Sequence, residues 1–186
     1  MRLFIAVNLT SEVKLAIRKA IDHFPISDPP WRWVKEDALH ITLKFLGETP
    51  ENHIPKIATH LEQVCSTHSP FSIELADLSG FPNLTRPRVL FFRIEEGAEG
   101  LEQLSTEINS VLEEEMNMPK EEKRFRAHIT VARVKQPIPH DVALWLTEVP
   151  ALSSVSQTVH SVDLMKSELR REGARYHIVK EIALKS

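Results

Sequence analysis

Cysteine is almost missing from this chain: Cys65 is the single one in 186 residues. An intramolecular disulfide is impossible, and a thiolate metal cluster has no ligands. Positive charge is in short supply too. Lys and Arg number 23 against 26 Asp and Glu, a formal net charge of −3. That balance argues against a protein that coats nucleic acid, while a locally basic cleft stays possible. Long apolar runs are lacking, so no segment is suited to crossing a bilayer. The apolar start Leu3–Val7 gives way at once to Asn8, Ser11, Glu12 and Lys14. It is too short for a secretory leader and is read as a first strand, with a cytoplasmic location as the expectation. There is no Gly-x-Ser-x-Gly elbow and no P-loop. No linker or low-complexity stretch divides the chain. Hydrophobic residues at 42% and charged residues at 26% suit one large domain or two small lobes with a real core.

What the chain does have is one short pattern twice: His40-Ile41-Thr42-Leu43 and His128-Ile129-Thr130-Val131. A strand alternates its side chains between two faces. In His-x-Thr the imidazole and hydroxyl therefore share a face while Ile41 and Leu43, or Ile129 and Val131, point the other way. By the same parity Lys44 joins His40 and Thr42, and Arg124 and Arg126 join His128 and Thr130. Each strand is greasy behind and polar in front. A lone His-x-Thr on an amphipathic strand is ordinarily a solvated sheet face. Two copies in matching contexts, with cations on the same face, are hard to explain by packing.

The elements around the motifs follow from hydrophobic spacing. Residues Arg2 to Asn8 alternate as a strand. Thr10 is the expected N-cap of a helix carrying Val13, Ala16, Ile17, Ala20, Ile21 and Phe24. Residues Pro25 to Pro30 break it, Trp31 to Val34 form a short strand, and Leu39 to Leu46 the first motif strand. Ile54, Ile57, Ala58, Leu61, Val64 and Cys65 mark a second helix, which makes Cys65 a buried thiol rather than a nucleophile. Strands are expected at Phe71–Leu75 and Val89–Ile94, with a helix through Leu101, Leu104, Ile108, Val111 and Leu112. The second motif strand is expected at 125–134, then a short helix with Val142, Leu144, Trp145 and Leu146. Strands near 155–165 and 176–184 close the chain. Strand, helix, strand around the first motif is echoed around the second. The fold class is α+β, with two lobes whose sheets face a shared cleft. The whole of 1–186 is read as a single bilobal domain of two pseudo-repeats, one motif each at 40–43 and 128–131.

Two imidazoles and two hydroxyls on one surface are a sufficient kit for opening a phosphate ester. One neutral imidazole takes a proton from water and the other, protonated, gives one to the leaving oxygen. Thr42 and Thr130, with Arg126 or Lys44, hold the non-bridging oxygens. Phe4 and Tyr176 are candidates for stacking on a base, and Arg86, Arg88 and Arg175 for further phosphates. Trp31, Trp33 and Trp145 are read as core or lobe-packing residues. Two histidines are too few ligands for a metal, and the motif faces carry no Asp, Glu or Cys. His53 and His60 flank the apolar stripe of the second helix and are read as solvated.

These residues resemble the two-histidine phosphoesterase superfamily. Within it the chain is similar to the bacterial and archaeal RNA 2′,3′-cyclic phosphodiesterases, the LigT-like or 2′-5′ RNA ligase-like proteins. The likeness runs through Met1–Ala6, Arg32-Trp33-Val34, Leu39–Glu48, Arg86–Leu90, Phe125–Val134 and Gly173–Tyr176. It implies a pseudo-twofold pair of mainly antiparallel sheets backed by helices. It also implies hydrolysis, without metal or other cofactor, of a 2′,3′-cyclic phosphate at an RNA 3′ end to a 2′-phosphate. By position His40 would be the proton donor and His128 the proton acceptor. The pattern itself is symmetric and does not assign them. Substrates would be RNA ends, such as tRNA fragments, or small cyclic nucleotides, with no membrane partner and a monomer expected. The alternatives are 2′-5′ ligation by the reverse chemistry and a non-catalytic RNA-end binding module.

Overall fold

Thirteen regular elements build two antiparallel sheets and their helices in the computed structural model, which describes residues 1–171 and 173–186. In chain order they are β1 (Arg2–Asn8), α1 (Ser11–Asp22), β2 (Trp31–Trp33), β3 (His40–Glu48), α2 (Ile54–Cys65), β4 (Phe71–Phe81) and β5 (Val89–Ile94). There follow α3 (Ala98–Met116), β6 (His128–Val134), α4 (His140–Thr147), β7 (Ser156–Val159), β8 (Ser161–Arg170) and β9 (Gly173–Ala183). One sheet has the order β3-β1-β8-β9 and the other β2-β6-β5-β4-β7. The motif strands β3 and β6 lie against each other where the sheets meet. One apolar core joins both lobes, from Leu3, Ile5 and Val7 through Ile41, Leu61, Leu75 and Phe92 to Ile129, Val131 and Ile182. A second, small cluster of Phe4, Ala6 and Met165 sits on the opposite, cleft-facing side of the first sheet.

The helices form for the reasons their spacing gives. The Thr10 hydroxyl caps α1 by accepting from the Val13 amide at 3.3 Å. Val13, Ile17 and Ile21, one turn apart, are its buried stripe. Gly97 enters α3 at φ 76°, where a Cβ would run into the Ser72 carbonyl of β4.

Several expectations are corrected. The second motif strand begins at His128, so 125–127 precede it as extended loop. The strand expected at 155–165 is two. β7 pairs with β4 in one sheet, and β8 pairs with β1 in the other after the chain crosses at His160. Only His160 and Ser161 stand between Val159 of β7 and Val162 of β8, and neither is a glycine or proline that would mark the crossing. Trp145 is 47% exposed rather than packed, because the short α4 spends its inner face on Val142, Ala143 and Leu146. His60 is buried, its Nδ1 bonded to Gln63 Oε1 at 3.1 Å. Trp31 is in the core and Trp33 packs against its edge.

The correction with the largest consequence is a pair of β-bulges. In β3, Thr42 pairs with Ala6 and Lys44 with Ile5, which leaves Leu43 as the extra residue. In β6, Thr130 pairs with Phe91 and Ala132 with Leu90, which leaves Val131 over. The bulge falls at the fourth residue of the motif both times. An extra residue inverts side-chain parity beyond it. Lys44 therefore turns away from His40 and Thr42 into the interior, only 2% exposed. Its Nζ donates to Asn109 Oδ1 at 2.6 Å and to the Pro119 carbonyl at 2.8 Å. Phe45 and Arg133 take the places on the cleft side that simple alternation denies them. Phe45 lies directly across from Phe4 and is 63% exposed. Arg133 lies across from Arg32 on one side and Val89 on the other, and is exposed.

Candidate functional site

His40 and His128 occupy equivalent places at the starts of β3 and β6, and both are held the same way. The Nδ1 of His40 lies 2.8 Å from the carbonyl of Ala38. The Nδ1 of His128 lies 2.5 Å from the carbonyl of Arg126. A carbonyl only accepts, so each Nδ1 carries the hydrogen, and each Nε2 is left as the acid–base atom. In both cases the partner is the residue two positions earlier. On His40 the Nε2 meets the Thr42 hydroxyl at 3.0 Å. The hydroxyl donates to a neutral imidazole and accepts from a protonated one.

The two histidines are supported by aromatic rings. Phe4 packs on His40 with ring centres 4.9 Å apart, and Tyr176 meets His40 edge-on at 5.2 Å. Tyr176 also stands edge-on to Phe4 at 5.1 Å. In the other lobe Phe91 stands beside His128 at 5.2 Å. The apolar surroundings of His40 push its pKa below the ordinary 6.5, because burial disfavours the charged ring. The bond to the Ala38 carbonyl works the other way. The positive charges of His128, Lys14 and Arg133 lower it further.

Of the candidate residues, the structure brings His40 and Thr42 of the motif together with Phe4 and Tyr176, the stacking candidates, and it places His128 and Thr130 at the matching positions of the second lobe. Lys44 is not among them. Arg126 stands in the loop before β6, where its backbone carbonyl holds His128 and its exposed side chain is free to reach outward. Four residues escaped the sequence reading: Phe45, Arg133, Asn8 and Asp163. The first two depend on the bulges. Their only trace was the apolar pair Val131-Ala132, which breaks alternation just before Arg133. Asn8 pairs with His40 across the ladder, and its Nδ2 donates to Asp163 Oδ2 at 2.7 Å. Asp163 lies across Ala6 from Thr42, and burial raises its pKa above the usual carboxylate range. Asp163 reads in the sequence as one acidic residue in an apolar strand, with no motif around it.

Comparisons with known proteins bear on the family and the fold. A family model described as the 2′-5′ RNA ligase superfamily matches residues 15–171. A curated protein of Thermus thermophilus named RNA 2′,3′-cyclic phosphodiesterase is 33% identical, over 100% of this chain and 91% of its own length. One of the same name from Archaeoglobus fulgidus is 32% identical over 95% of this chain and 96% of its own. Among solved structures, a Thermus thermophilus protein superposes with a TM-score of 0.83 at 33% identity, covering 100% of this chain and 98% of that one. E. coli LigT complexed with 3′-AMP superposes with a TM-score of 0.76 at 26% identity, with the same coverage.

Proposed function

Because this chain belongs to the 2′-5′ RNA ligase superfamily, we propose that its cleft hydrolyses 2′,3′-cyclic phosphate ends of RNA to 2′-phosphate ends. The observation that carries this reading is the twin locking of the histidines. Both Nδ1 atoms are committed to a backbone carbonyl, so both Nε2 atoms are available for proton transfer. His128 Nε2 takes a proton from water as the water oxygen attacks phosphorus. The bond from phosphorus to the 3′ oxygen breaks, and protonated His40 delivers its Nε2 hydrogen to that oxygen. A 2′-phosphate and a 3′-hydroxyl remain. Thr42 and Thr130 donate to the non-bridging oxygens, and Arg126 and Arg133 supply positive charge to them. The expectation that Phe4 stacks on the base is corrected, because Phe4 is 3% exposed and packs beneath His40. The base stacks instead beside Tyr176 and the exposed Phe45.

Two imidazoles supply both proton transfers, so the reaction runs without a metal. Ligation through a 2′-5′ bond uses the same groups, with an RNA 5′-hydroxyl end attacking phosphorus in the place of water while the 3′ oxygen departs, and the family's description favours keeping it as the second reading. We read 1–186 as one unit of two pseudo-repeats, on the strength of the matching bulges and histidine locks.

The test incubates a short RNA ending in a 2′,3′-cyclic phosphate with wild type, His40→Ala and His128→Ala in EDTA. Wild type converts the end to a 2′-phosphate, and each variant loses about 10²–10⁴ in rate. Loss of wild-type activity in EDTA would overturn the metal-free mechanism. Absence of conversion under all conditions would overturn the substrate.

A further inference from the structure

The second sheet ends in a basic groove that the hydrolytic step does not use. It has a volume of about 550 Å³ and is lined by the loop 85–88 on one side and by 134–138 with His140 on the other. Arg86, Arg88 and Lys135 are among the lining residues, His140 adds an imidazole, and among the described residues no carboxylate lines it. In a chain of formal net charge −3, three permanent cations around one groove without an acidic wall are a concentrated anion-binding surface.

Its position relates it to the cleft. Val134 and Lys135 directly follow Arg133, and Arg88 directly precedes Val89, the residue paired with Arg133 in the sheet. The Val134 amide donates to the Arg88 carbonyl at 3.0 Å, which joins the two walls. Thr130 and Lys135 are separated by an extended stretch on the order of 15 Å long. The groove therefore lies too far from the motif threonines to hold the reacting phosphate and near enough to hold those upstream of it.

The walls are also ordered in advance. Asn83 Oδ1 accepts from the amides of Thr85 and Arg86 at 3.0 and 2.9 Å, and the Arg88 amide donates to the Phe81 carbonyl at 2.7 Å. At Gly80 a Cβ would stand 2.8 Å from the Asn83 carbonyl oxygen, so the glycine lets the loop fold down onto β4. Next to the groove Phe81 is 43% exposed, with Arg88 5.8 Å and Lys123 5.6 Å from its ring centre. Cations that track a backbone beside an exposed aromatic ring are the means by which single strands are held without regard to sequence.

We infer that this groove binds the phosphodiester backbone of single-stranded RNA upstream of the cyclic end, so that the enzyme favours oligonucleotides over mononucleotides. The inference rests on the proposed hydrolysis and names the substrate class for it. The experiment compares a nucleoside 2′,3′-cyclic monophosphate with a short single-stranded RNA oligonucleotide carrying the same end. The proteins are wild type and the triple variant Arg86→Gln, Arg88→Gln, Lys135→Gln. On the mononucleotide the two proteins agree within about twofold, which also shows that the variant is folded. On the oligonucleotide the variant loses about tenfold in kcat/KM through KM. Its dependence on log salt is shallower by about 2, as expected for three lost contacts at roughly 0.7 each. Equal kcat/KM for wild type and variant on the oligonucleotide, with both turning over the mononucleotide, would overturn the inference alone. No turnover of either substrate by wild type would overturn the functional reading and the groove with it.

Discussion

At the scale of single residues, the cleft is organised around what each imidazole is surrounded by. His40 sits between Phe4 and Tyr176, and its pKa is held below 6.5 by that desolvation. A proton donor must be charged to act, so activity that depends on it falls as pH rises through its pKa. The kcat/KM profile is therefore expected to descend with a midpoint below 6.5. The kcat profile should descend at higher pH, because a bound phosphate anion favours the imidazolium. A descending limb that persists in the residual activity of His40→Ala would show that His40 is not the donor. Phe4→Ala admits water to the ring, so the His40 pKa is expected to move up toward 6.5, followed by NMR titration of the imidazole. Of the site residues, His40, His128, Thr42 and Thr130 were legible as a repeated pattern. Arg133 was not, because its orientation depends on a bulge rather than on its own chemistry.

At the scale of elements, the bulged motif strand is the unit that matters. Its turned-in Lys44 is bonded to Asn109 of α3 and to the Pro119 carbonyl in the chain leading toward Arg126 and His128. Ser105 of α3 donates to the Leu43 carbonyl at the bulge itself, at 2.8 Å. Lys44→Ala leaves a cavity and unpaired acceptors, and should cost about 3 kcal/mol in denaturant unfolding. Lys44→Met keeps the volume and removes a buried charge, so it should cost less than about 1.5 kcal/mol. The expected order of stability is wild type, Met, Ala, and a Met variant as unstable as Ala would place the effect in the lost bonds rather than in packing. Strand and helix positions were largely legible at this scale because most elements bury one face against the main core. The partner each strand chooses was not, as the 155–165 segment shows by dividing between two sheets.

At the scale of the whole molecule, the lobes are joined by a continuous core and by polar bonds that include a clasp at Gln157. Gln157 of β7 accepts from the Thr10 amide at 2.9 Å and donates to the Asn8 carbonyl at 3.0 Å, linking the second sheet to the end of β1. Because one core runs through both lobes, a single cooperative unfolding transition is expected, with calorimetric and van't Hoff enthalpies in agreement. Gln157→Ala removes both bonds and leaves two backbone groups without partners, so it should cost about 2 kcal/mol. Two separate transitions in either protein would show that the lobes fold independently.

The repeated His-x-Thr, its strand context and the apolar backing are local properties of the chain, and alternation alone places each imidazole and hydroxyl together. Secondary structure followed for the same reason, since burying one face imposes a period on the residues. Which strands become neighbours, where an extra residue breaks the alternation, and what then faces the cleft are decided by contacts between segments far apart in the chain. Lys44 and Phe45 exchanged faces on that account. Hydrophobic period describes one strand at a time, whereas a bulge exists only in the pairing of two.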